Sequence, residues 1–200
     1  MALLLAVMAT AWVVGCTPRP PRNVDDCCQI FKERRGWYRA AARSSQRWGV
    51  PIHIQLAIVH QESRFDGDAR PPRRRILWIF PGPRRSDAHG YAQALKSTWR
   101  EYKAASGNGG ADRDDFGDAV DFIGWYAARS SRELGIRPDD AYNLYLAYHE
   151  GNGGFRRQTY RRKPWLVGVA GKVERRSDRY RRQLVLCEDE LKPRWWQFWL

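Results

Sequence analysis

The segment Pro51 to Glu62, PIHIQLAIVHQE, restricts this chain more than any other stretch. Pro51 suits the first position of a helix, where its missing N–H is no loss. Behind it Ile52, Leu56 and Val59 line one face, with Ile54 and Ile58 beside them. A helix apolar over so wide an arc needs protein on nearly every side. The chain must therefore wrap other elements around a central helix. It must also accommodate the glutamate in which that helix ends.

The neighbouring segments supply helices for the purpose. Asp25 and Asp26 cap a first helix, on which Phe31, Tyr38, Ala42 and Ser45 recur near helical spacing until Trp48-Gly49 closes it. Others are expected around Ser97 to Ala105, over Asp114 to Leu134, and from Pro138-Asp139-Asp140 to a stop at Gly151-Asn152-Gly153-Gly154. A last, basic helix carries Leu166, Val169, Val173, Ser177, Tyr180, Leu184 and Cys187 in steps of three and four. Asp66 to His89 reads as a long arginine-rich loop around an apolar patch, Ile76-Leu77-Trp78-Ile79-Phe80. Strand alternation and internal repeats are not evident. The expectation is a mainly α, single domain over residues 25–190, followed by an aromatic tail, 191–200, that contains Trp195-Trp196-Gln197-Phe198-Trp199.

Residues 1–15 read as a signal peptide. Ala2 to Val14 carry no charge and are too few to span a bilayer as a helix. Val13-Val14-Gly15-Cys16 resembles a bacterial lipobox, which implies cleavage before Cys16 and its lipidation. The chain departs from the usual signal in lacking a basic segment before the apolar run. Residues 16–24, with three prolines, read as a semi-rigid tether reaching about 20 Å. Thr17, rather than aspartate, after the cysteine suggests the periplasmic face of the outer membrane. An exported protein permits disulfides. Cys187 can pair with Cys27 or Cys28, the candidate pair being Cys28 and Cys187, and one thiol stays free. The net charge of +13 calls for an anionic partner without identifying it.

Three short motifs bear on chemistry. Glu62-Ser63 ends the apolar helix, and a desolvated carboxyl keeps its proton at higher pH than the usual 4.3 or so. Gly90-Tyr91-Ala92-Gln93 precedes a helix. Its glycine permits close backbone approach, and its amide offers both a donor and an acceptor. Ala147-Tyr148-His149-Glu150-Gly151 ends another apolar helix. Each alone fits an ordinary helix end, turn or core tyrosine.

In this order, over roughly residues 40–165, the three resemble the lytic transglycosylases with an SLT-type, lysozyme-like domain. His149-Glu150 stand where the family usually has Asn-Ala, and Tyr91-Ala92 where Leu-Met is commoner. The resemblance implies cleavage of the β-1,4 bond between N-acetylmuramic acid and N-acetylglucosamine in peptidoglycan, with a 1,6-anhydro product. Glu62 would be the sole acid and then the base. Ser63, Gly90, Tyr91, Gln93, Tyr148 and Glu150 would be substrate contacts. No metal or cofactor is required, and a monomer bound to glycan strands and to the membrane through its lipid is expected. Asp66, Asp68 and Glu150 are the other candidate acids. Three rivals share some of these features: a goose-type lysozyme using water, a non-catalytic wall-binding lipoprotein, and a nucleic-acid binder. Lipobox and motifs count against the last.

Overall fold

The computed structural model describes residues 19–76, 80–84 and 86–192, with the backbone alone at 74–76 and 80–82. The signal segment, Cys16, Leu77–Ile79 and the aromatic tail from 193 onward lie outside the described residues. Seven α-helices and one hairpin follow in order: α1 Cys27–Glu33, α2 Arg35–Trp48, α3 Ile52–Ser63, β1 Arg73–Ile76, β2 Phe80–Arg84, α4 Lys96–Ser106, α5 Phe116–Leu134, α6 Ala141–Arg156 and α7 Pro164–Leu191.

The helix α3 is the axis of the molecule. Ile54 through His60 are all buried, packed against α2, α5 and α7. The chain is mainly α, in a lysozyme-like arrangement. Among the described residues no helix is long and apolar enough to cross a membrane.

Four local readings of the sequence are corrected. The expected first helix is two: Arg34 leaves the helical region (φ −122°, ψ 69°) between α1 and α2, and its guanidinium donates to the Arg19 carbonyl at 2.6 Å. The 66–89 segment is not all loop, because β1 and β2 pair antiparallel, Arg75 opposite Pro81 and Ile76 opposite Phe80. The helix expected to stop at Gly151-Asn152-Gly153-Gly154 breaks at Gly151 (φ 72°, ψ 156°) but runs on through the other three to Arg156. Finally, the described part of the proline-rich lead, read as a semi-rigid tether, is packed on the body at its C-terminal end. Pro21 is buried and the Arg22 N–H donates to Glu33 at 3.1 Å.

The two ends of the domain are strapped together. Cys28 on α1 is joined to Cys187 on α7, across 159 residues, and Cys27 is a buried free thiol. The Tyr180 hydroxyl donates to the Val24 carbonyl. Gln183 donates to the Asp25 carbonyl at 3.1 Å and accepts from the Cys27 N–H at 3.0 Å. The Tyr38 hydroxyl of α2 reaches Glu188 at 3.0 Å.

Candidate active site

The end of α3 is held in an unusual backbone. Arg64 (φ 54°) and Phe65 (φ 64°) are consecutive non-glycine residues in the left-handed region, where a bulky side chain is a true outlier. Packing enforces it. Phe65 is fully buried, stacked on Trp37 with centroids 5.9 Å apart. Trp37 in turn stacks on Phe116 at 3.9 Å. Strain of this kind persists only where the surroundings fix it, and it collects at functional sites. Here it stops the helix immediately after Glu62-Ser63.

Glu62 is partly buried. Desolvation pushes its carboxyl up to about 7, against a smaller downward pull from the Tyr145 hydroxyl bonded to it. Among the described residues no second carboxylate contributes to that shift. Burial, with Glu62 as the next cause, raises the hydroxyls of both Tyr145 and Tyr148. These two stand at i and i+3 on α6, hence on one face.

Tyr148 links this acid to the second motif, its hydroxyl donating to the Ala92 carbonyl at 2.6 Å. The loop that receives it is tightly built. The Gly90 N–H donates to the Ala69 carbonyl at 3.0 Å, and the Gln93 amide nitrogen donates to the carbonyls of Ala69 and Gly90 at 2.7 and 2.9 Å. Gln93 itself has positive φ (46°). Its Oε1 is left without a protein donor among the described residues, free to accept from a ligand.

Gly90 is the one residue type its place allows. With φ +77°, a Cβ there would lie 1.9 Å from the Arg113 carbonyl oxygen. Gly90→Ala is expected to lose at least about 3 kcal/mol in urea unfolding; a loss under 1 kcal/mol would show that the loop has slack.

The structure brings Glu62, Tyr148 and the Gly90–Gln93 loop together, and it sends three other candidates elsewhere. Tyr91, expected to face sugar, is 1% exposed and meets Trp37 and Phe116 edge-on. Ser63, expected to bond near Glu62, donates back to the Val59 carbonyl at 3.2 Å. The Glu150 side chain is 4% exposed. Burial raises its pKa, but hydrogen bonds from Lys163, Thr159 and His149 outweigh this and hold it at about 2. It is a structural anion, with Lys163 at 2.7 Å.

Tyr145 is the residue that the motifs missed. Its hydrogen bond favours ionised Glu62, so Tyr145→Phe should raise the Glu62 pKa. The alkaline limb of kcat/KM, where Glu62 sets it, is expected to move up by about half to one unit. An unmoved limb would exclude Tyr145 from positioning the acid.

Among the described residues no group of three or more His, Cys, Asp or Glu is placed to hold a metal. No curated protein matches the chain. The family described as Transglycosylase SLT domain matches residues 4–187. With that match across most of its length, the chain belongs to the transglycosylase SLT domain family, whose activity is directed at peptidoglycan.

Proposed function

We propose that the protein is a lytic transglycosylase that uses one carboxyl group twice. Glu62 donates its proton to the glycosidic oxygen between N-acetylmuramic acid and N-acetylglucosamine as the C1–O bond breaks. The 2-acetamido group of the muramic acid stabilises the positive charge at C1, as in substrate-assisted glycosidases. The ionised Glu62 then removes the proton of the 6-hydroxyl, whose oxygen closes on C1 to give the 1,6-anhydro ring. The carboxyl ends protonated, as it began.

The observation that carries this reading is the acid raised to about 7 by desolvation, a shift to which no carboxylate among the described residues contributes. A group titrating near the working pH serves almost equally well as acid and as base. An inverting or retaining pair would need a second carboxylate beside it. Glu150 is occupied by Lys163 and Thr159. Gln93 Oε1 and the Gly90 loop orient the sugar, and Tyr145 and Tyr148 hold the acid and the loop in register.

Digestion of purified sacculi, with masses read for the released muropeptides, tests the reading. Anhydro ends are expected; reducing ends would instead indicate a hydrolase of the lysozyme type. The lipobox supports a lipid anchor at Cys16 and a place at the periplasmic face of the outer membrane. Since Arg34 already holds Arg19 at 2.6 Å, such an anchor would keep the body close to the bilayer.

A further inference from the structure

A second cavity lies between α3 and α7, on a different face of the helix that carries Glu62. It encloses about 410 Å³, and five cations line it: Arg64 from α3's end and Lys172, Arg175, Arg176 and Arg179 from α7. The α7 positions are spaced by three and four, so they form one stripe. Ala57, His60 and Gln61 of α3 complete the opposite wall. Burial lowers the His60 pKa to about 4, so at neutral pH it adds hydrogen-bonding capacity and no charge.

The charge on this stripe is not the general basicity of the chain. One face further round, α7 is balanced: Arg181 pairs with Asp178 at 3.2 Å, and Glu174, Asp139 and Asp140 line a different cavity together with Arg181. The α3–α7 cavity has one carboxylate at its edge, Asp25, bonded to Arg176 and 3.4 Å from Arg179. Among the described residues Arg64, Lys172 and Arg175 have no acidic partner. Convergent cations repel one another unless an anion joins them. Guanidinium forks match the oxygens of phosphate, and lysine adds a mobile point charge. Arg176 is already oriented by Asp25 with its side chain 22% exposed, which reduces the ordering needed on binding.

We propose that this cavity is a binding site for an anionic phosphate group, separate from the sugar-cleaving centre. The group is either a free phosphate compound or the headgroup of an anionic lipid. Both sources present the same oxygens to the arginines.

The test compares full-length wild type with Lys172→Gln/Arg175→Gln. The control, Arg39→Gln/Arg43→Gln, removes two exposed charges from α2. Titration with inorganic pyrophosphate reports the free compound. Partition onto phosphatidylglycerol rather than phosphatidylcholine vesicles reports the headgroup; any lipid anchor contributes equally to the three proteins. Loss of charge-assisted bonds should weaken binding at least about tenfold in the cavity variant and leave the control within about threefold. Such a gap with pyrophosphate supports a free phosphate ligand, and a gap seen with vesicles alone supports the lipid source. Equal behaviour of the two variants in both assays overturns the proposal. Muropeptide release stays unchanged in both variants, so the outcome is independent of the catalytic reading.

Discussion

Glu62→Gln should abolish release of anhydro-muropeptides and at the same time make the protein more stable above neutral pH. Removing a general acid and base lowers rates by about 10²–10⁴-fold, and in the proposed mechanism one group fills both roles, so the upper end is expected. The stability gain follows from the same burial. The folded carboxyl titrates near 7, against 4.5 for the ordinary group. The folded state therefore holds the proton more tightly than the unfolded chain, and stability falls as pH rises from 4.5 to 7 and levels off above. Ionisation at pH 8 costs the wild type about 3 kcal/mol, a penalty glutamine does not carry. Melting curves of the two proteins should differ by several degrees at pH 8 and converge below pH 4.5. A variant that still produces anhydro ends would refute the catalytic assignment. Equal melting at pH 8 would place the carboxyl in water.

The second large effect concerns the strap between α1 and α7. A cross-link spanning 159 residues restricts the unfolded chain by up to about 5 kcal/mol on the loop-entropy account. Cys28→Ser/Cys187→Ser is therefore expected to lose about 3–5 kcal/mol and to melt roughly 10 °C lower. Cys27→Ser, which leaves the bridge in place, should lose much less. Catalysis at 25 °C should survive in the double variant, because neither cysteine touches the Glu62 site and the Tyr180–Val24 and Gln183–Asp25 contacts remain. A double variant as stable as the wild type would mean that those polar contacts hold the ends by themselves.

The helices were legible because their apolar residues recur at three and four, and because Pro51 and Asp140 stand where helices begin. The break at Arg34 has no such mark: neither glycine nor proline stands there, and the contact to Arg19 is tertiary. The hairpin was hidden because Arg73-Arg74-Arg75 and Pro81-Gly82-Pro83 do not alternate apolar with polar. At the site, spacing identifies the face of α6 but not which tyrosine on it meets the acid. Tyr145 and Tyr148 share that face, and only the packing assigns one hydroxyl to Glu62 and the other to Ala92. Glu150 sits inside the third motif, so a ligand role was a natural reading. The lysine that neutralises it lies 13 residues further on, beyond the reach of local pattern. Tyr91 shows the same limit, since burial against Trp37 depends on a helix far away in sequence.

The Ala69 carbonyl accepts from both the Gly90 N–H and the Gln93 amide, just ahead of the arginine-rich excursion. One oxygen is thus the doorstep shared by the Gly90–Gln93 loop and the hairpin that lies between it and Ala69. Both bonds grip the feet of that excursion, and neither uses a residue of the hairpin itself. The Gly90–Gln93 loop is thereby tied off at its root, whatever the hairpin beyond it carries.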